Sequence, residues 1–131
     1  DMDLSKIVPK SDVITVTLLY PGTDNVLEND DNTPMTITLY APHTKEYKAV
    51  VYEQANKRIK DQKKEFTVQD YENSSLDLLV GITKEWDITY GGEKPKLNKK
   101  KAREIYSGEA GFWIIDQLQG GLNSFEAFTQ V

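Results

Sequence analysis

Leu76-Asp77-Leu78-Leu79-Val80-Gly81-Ile82-Thr83-Lys84-Glu85-Trp86, continuing through Asp87-Ile88-Thr89-Tyr90 to Gly91-Gly92, is the stretch on which the fold turns. Leu76, Leu79, Val80 and Thr83 recur at helical spacing, widened by Tyr71, Leu78 and Ile82, which predicts a helix ending at about Lys84 or Glu85. Thr67 and Asp70, three residues apart, open it as a capping pair. Gly81 inside the run costs on the order of 1 kcal/mol against alanine and marks either close helix packing or an early stop. Residues 86–90 read as a short extended piece with room to add a third strand before Gly91-Gly92 turns the chain.

Beyond that turn, Asn98 is placed to cap a third helix carrying Ala102, Ile105 and Tyr106, with Leu97 able to staple onto Ala102. Gly108 reads as the left-handed residue that closes this helix. A fourth helix runs from Ala110 to about Gln119 with Phe112, Trp113, Ile115 and Leu118, and Gly120-Gly121 stops it ahead of Phe125. Residues 76–125 thus form a compact, aromatic-rich helical unit.

Upstream, Ile14, Val16 and Leu18 alternate with Thr15 and Thr17, and Met35, Ile37 and Leu39 alternate with Thr36, Thr38 and Tyr40. This period of two in β-branched residues argues for two strands paired as an antiparallel hairpin. Their connection, from Pro21-Gly22 to Pro34, is long and acidic. It lacks the central glycine and distal glutamate of a calcium loop, so it reads as a solvated loop. Thr44 is placed to cap a helix reaching about Gln62, with Tyr47, Val50, Val51, Ala55 and Ile59 inward and Lys48, Glu53, Lys57 and Lys60 toward water.

The resulting fold class is α+β: an N-terminal antiparallel β-hairpin, with a third short strand open, packed on about four helices. Residues 1–12 are an irregular lead-in, 13–125 one domain, and 126–131 a loose C-terminal tail. A length of 131 residues suits one domain, and no apolar run is long enough to cross a bilayer. The N-terminus has no signal-peptide pattern and the chain has no cysteine, which together predict residence in a reducing cytoplasm. Asp1 ahead of Met2 reads as a cloning remnant.

Reactive chemistry is sparse. Without cysteine and with a single histidine, His43, the chain lacks the ligands for zinc, and His43 lies in no serine-containing elbow motif that would pair it with a nucleophile. The glycine pairs lack the spacing that cradles phosphate. No catalytic, cofactor or metal site is expected, and the chain is read as a non-enzyme.

Charge is segregated. Residues 1–43 carry seven acids and two lysines, whereas Lys94, Lys96, Lys99, Lys100, Lys101 and Arg103 place six cations within ten residues. A basic patch at Lys96, Lys99, Lys100, Lys101 and Arg103 could meet phosphates. The chain as a whole has a net charge of −5 and a pI near 4.9, which opposes nucleic acid elsewhere and leaves the patch as a solvated face or a site for an acidic protein partner. Trp86, Tyr90, Phe112, Trp113, Leu118 and Phe125 are the candidate interface residues, since large rigid aromatics anchor many interfaces, and filling the core is the competing reading for each of them.

Three segments, in order, resemble the tail assembly chaperones of long-tailed bacteriophages. The first is Ile37-Thr-Leu-Tyr-Ala-Pro-His43-Thr44-Lys-Glu46-Tyr47, leading into the basic helix at Ala55-Asn56-Lys57-Arg58, with His43 standing where the family has an acid. The second is Leu78-Leu79-Val80 through Trp86-Asp87-Ile88. The third joins Leu97-Asn98, Ala102-Arg103, Ile105-Tyr106, Trp113-Ile114, Gln117, Asn123 and Phe125. The resemblance implies a non-enzymatic protein of the infected bacterial cytoplasm that binds and solubilises the tape measure protein during tail morphogenesis. It implies departure before the mature particle, tail tube subunits as further partners, and in many members a longer frameshifted form. Self-association is left open. A structural tail or head-tail connector subunit is the alternative, and a nucleic-acid-binding module a more distant one.

Overall fold

The computed structural model describes residues 3–61 and 65–124. A 3₁₀ turn, Leu4–Lys6, lies in the lead-in; the elements that follow are β1 (Val13–Thr17), β2 (Thr36–Tyr40), α1 (Lys45–Asp61), α2 (Val68–Ile82), β3 (Thr83–Asp87), α3 (Lys99–Tyr106) and α4 (Gly111–Asn123). The three strands form one antiparallel sheet in the order β1-β2-β3. Fold class is therefore α+β, with the N-terminal hairpin, the third strand and four helices. The predicted tail 126–131 and Phe125 lie outside the described residues.

Strand alternation sets the layering. Ile14 pairs with Leu39 and Val16 with Ile37, so these four share the face that meets the helices. Ile14, Ile37 and Leu39 are buried together with Leu79 and Ile82 of α2, Ile105 of α3 and Leu118 of α4 in one cluster. On the opposite face Thr38 is also buried, because the central strand is flanked on both sides, and its hydroxyl pairs with that of Thr15 at 3.1 Å.

The third strand begins three residues earlier than its sequence reading. α2 stops at Ile82 because Thr83 turns extended: its hydroxyl donates to Leu79 O at 2.6 Å and its N–H to Val80 O. Its pairing with Leu39 of β2 outweighs the helical spacing that carried the reading to Lys84 or Glu85. Glu85 pairs with Thr38 and Thr83 with Leu39, which leaves Lys84 as the extra residue of a bulge.

The capping pair at Thr67 and Asp70 forms a reciprocal capping box. Thr44 is buried at the head of α1, accepting from Tyr47 N at 3.2 Å. α1 is nonetheless peripheral. None of its residues is buried; Tyr47, Val50 and Gln54 are half-covered, while Val51, Ala55 and Ile59, read as inward, are exposed. α1 packs on α2, a single neighbouring cylinder, so only the narrow row i, i+3, i+7 finds cover. Gly81 is where the two helices meet, since a Cβ there would come within 2.8 Å of Val50 Cγ1.

Glycine also sets the C-terminal helices, in ways that sequence punctuation misreads. Gly108 is not left-handed; the chain leaves α3 through Ser107 in the right-handed helical region, whose N–H reaches Arg103 O and Ile105 O. The corner comes three residues later at Gly111, where a Cβ would lie 1.9 Å from Tyr106 O. Gly120-Gly121 does not stop α4, which continues to Asn123. Gly121 lies against β1, where a Cβ would sit 2.6 Å from Val16 Cγ2, and beside Gly120 there is open space. Gln117 fastens the same contact: its amide donates to Leu19 O and its carbonyl accepts from Leu19 N, each at 2.9 Å.

The acidic connection between β1 and β2 is folded. Leu19 bridges to Val26 and Glu28 to Pro34, and Asn29 is buried. The Asn29 side-chain amide donates toward Thr33, Pro34 and Asp87, and its oxygen accepts from Thr89 Oγ1 at 2.6 Å. Lys94 Nζ lies 2.8 Å from Asp31 and 2.9 Å from Asp87. The Lys94 ammonium, with Thr33, holds the Asp31 carboxyl well below the usual carboxylate range, and Asp31 with Asp87 raises Lys94. A buried asparagine wired to β3 converts the loop from a tether into part of the body.

The glycines separate cleanly on substitution. Gly111→Ala overlaps a backbone carbonyl that cannot yield and is expected to lose about 3 kcal/mol. Gly121→Ala meets a short branched side chain and loses about 1 kcal/mol net of improved helix propensity. Gly120→Ala, facing open space, gains up to about 1 kcal/mol. Urea unfolding midpoints of the three variants check this order.

Candidate functional site

An apolar groove of about 590 Å³ lies between α2 and the α3–α4 corner. Its floor is Leu76 and Leu79 of α2, Tyr106 of α3 and Ile115 of α4; its rim includes Tyr71, Glu72, Asn73, Ser107 and Phe112. Two aromatics stand out of it. Phe112 is 77% exposed and Tyr71 is 66% exposed.

Their positions follow from the helices. Gly111 is buried at the corner, so the next residue, rotated by about 100° around the helix, turns outward. Phe112 is therefore held in solvent by the same close approach that turns the chain. Tyr71, read as widening the inward stripe of α2, lies in that helix's first turns, before the helix reaches the sheet. Only Leu79, Val80 and Ile82, in its last turn, are fully buried.

Beneath the groove, Tyr106 is 2% exposed, and its hydroxyl is 2.8 Å from Thr83 Oγ1. Thr83 has one hydroxyl hydrogen, which goes to Leu79 O, so Tyr106 must donate to Thr83. Burial pushes the Tyr106 phenol up to about 12, with the Thr83 contact opposing. This chain of bonds joins α3 to the α2–β3 junction directly under the groove.

The other interface candidates are scattered. Trp86 is half-buried, edge-on to Tyr106 with ring centroids 6.4 Å apart, and its indole N–H donates to Pro95 O at 2.9 Å. It is the margin of the core. Trp113 is half-buried against the same core, and Leu118 is fully enclosed and presents no surface. Tyr90 is 37% exposed at the turn around Gly91-Gly92; it does not line the groove, but its hydroxyl lies 3.6 Å from where a Cβ on the lining residue Gly108 would sit. Phe125 lies outside the described residues.

The basic patch is divided. Lys99, Lys100 and Arg103 join Lys57 of α1 around a second groove, about 490 Å³, whose floor is Val50, Val80 and Gly81. Arg103 there pairs with Asp77. Lys101 points elsewhere, pairing with Glu104 at 3.0 Å, and Lys96 is exposed ahead of α3. Sequence reasoning left Lys57 to water; the α1–α2 pairing brings it to the lysines of α3.

His43 is exposed at the head of α1, with Nε2 3.1 Å from Asp12 Oδ1. Among the described residues no three His, Cys, Asp or Glu side chains are grouped to hold a metal ion, and no helix is long and apolar enough to cross a membrane. The chain matches no family model, no curated protein and no solved structure.

The phenol of Tyr106 has a measurable signature. Its folded-state pKa is raised, so its contribution to stability is whole below about pH 10, where an unfolded tyrosine ionises, and is lost as pH rises toward about 12. Tyr106→Phe is expected to start about 1 kcal/mol less stable through the lost hydrogen bond, and to decline less steeply across that window. Denaturant titrations at a series of alkaline pH values give both quantities.

Proposed function

We propose that this chain is a tail assembly chaperone of a long-tailed bacteriophage, and that it keeps the tape measure protein soluble in the infected bacterial cytoplasm by cradling an amphipathic segment of it. The observation that carries this reading is the groove between α2 and the α3–α4 corner, with Phe112 and Tyr71 standing exposed over an apolar floor. A helix seats in such a groove by inserting apolar residues spaced i, i+3, i+4 and i+7 while its polar face stays in water. Aromatic side chains suit the gripping positions, since they carry large contact area on two rotatable bonds.

The motif resemblance supplies the identity of the partner, and the groove supplies a means of holding it. Binding without chemistry agrees with the sparse reactive residues: one histidine, no cysteine and a groove floored by leucine, isoleucine and a hydrogen-bonded tyrosine. Glu72, Asn73 and Ser107 on the rim keep the groove wetted, which suits a protein that must release its partner as tube subunits take over.

Co-expression with the tape measure protein tests this directly. The wild-type chain is expected to keep that protein in the soluble fraction and to copurify with it. The double variant Phe112→Ser, Tyr71→Ser is expected to lose that capture tenfold or more, as removal of interface anchors costs about 2 kcal/mol or more. Both sites are exposed, so its unfolding midpoint should stay within about 0.5 kcal/mol of the parent. A partner equally insoluble with and without the chain would refute the reading, and the chain's retention in purified particles would favour a structural subunit.

A further inference from the structure

α2 gives a different flank to each of two grooves: Leu76 and Leu79 line the first, whereas Asp77, Val80 and Gly81 line the second, between α1, α2 and α3. The second is basic in a chain whose net charge is −5. Lys57 comes to it from α1, and Lys99, Lys100 and Arg103 from α3, so cations border it on two sides of a floor that includes Val50 and Val80. Against them stand two acids, Glu53 and Asp77. Asp77 is paired with Arg103. Lys57, Lys99 and Lys100 are exposed and make no ion pair among the described residues.

Lys99 and Lys100 lie in the first turn of α3, which holds no acid and carries partial positive charge of its own. Cations placed there repel the helix end and one another, and a negative group brought from outside relieves both. The floor and the rim together define that group. An aliphatic side chain suits Val50 and Val80, and carboxylates on either side of it suit the lysines. Nucleic acid fits less well. No aromatic ring lines the groove to stack a base, and Glu53 and Asp77 repel phosphate, whereas the N–H groups of a peptide can donate to Glu53.

We propose that the groove between α1, α2 and α3 is the docking site for an acidic segment of a partner protein, which seats one aliphatic residue on Val50 and Val80 and pairs flanking carboxylates with Lys57, Lys99 and Lys100. The contact uses neither Phe112 nor Tyr71, so it stands or falls separately from the client-binding reading. With one groove on each flank of α2, the chain can hold an acidic partner and an amphipathic client at once. The lysines are exposed, which makes the docking modest and sensitive to salt.

Fluorescence anisotropy on the full chain tests the proposal, with a fluorescein-labelled peptide whose single leucine is flanked by glutamates as the probe. Binding should saturate at low salt and weaken as salt is added. Lys99→Ser with Lys100→Ser should weaken it about tenfold. Lys48→Ser with Lys96→Ser removes the same charge from exposed positions outside the groove and should cost no more than about twofold. Replacing the leucine of the probe by serine should cost about tenfold or more, because the floor is then left without its apolar partner. All four lysines are exposed, and unchanged thermal melting of each variant establishes that it folds. The double variant Phe112→Ser, Tyr71→Ser should bind the probe like the parent. The proposal is overturned by a probe that never saturates, by equal losses from the two lysine pairs, or by a leucine-free probe that binds as well. Tighter binding of a single-stranded oligonucleotide of equal charge also overturns it, in favour of a nucleic-acid site.

Discussion

The structure depends on how closely α4 can approach what precedes it, and that approach is set at Gly111. With no side chain there, the first residue of α4 presses against the carbonyl of Tyr106, the last residue of α3. Tyr106 can then face the core and reach Thr83, while α4 runs back along the sheet until Gly121 meets Val16. Two points of near-contact thus define one helix: a backbone carbonyl at its start and a valine methyl near its end. Whatever α4 displays follows from them, including the outward phenyl ring of Phe112 and the inward Leu118.

The same economy appears in the polar interior. Thr83 ends a helix, opens a strand and receives the tyrosine hydroxyl, so one β-branched residue ties three elements together. Asn29 does comparable work at the other end of the sheet, linking the acidic connection to β3. Buried polar groups that find all their partners fix a single arrangement where apolar contacts alone would leave several.

The strands and caps were legible because their signals are local. Alternation at Ile14, Val16, Ile37 and Leu39, and capping at Thr44, Thr67 and Asn98, depend on residues within a few positions of each other. Glycine was harder to read, because the same residue ends helices, bends them or lets them touch, and only a distant neighbour decides which. Val16 lies more than a hundred positions from Gly121, and Val50 about thirty from Gly81. Periodicity alone likewise left the inward row of α1 too wide, since it cannot tell how much cover a helix will find. For the candidate groove, Phe112 was visible as an aromatic without a fixed role. Tyr71 was missed because an apolar residue in phase with a buried stripe carries no mark that the stripe has run past the edge of the core.

α1 makes a final point about where the molecule is weakest. Seventeen residues of helix contribute no buried side chain and rest on α2 through Val50 against Gly81 and a bond from Gln54 to the Ser74 carbonyl. An element so lightly attached can lift away while the sheet, α3 and α4 remain intact, because its departure uncovers little of the central cluster. Its amide protons should accordingly trade with solvent deuterium through partial opening, long before those of β2, whose release requires the whole molecule to come apart. The least anchored helix is also one wall of the lysine-rimmed groove, so anything lodged there would slow that trade in α1 more than anywhere else.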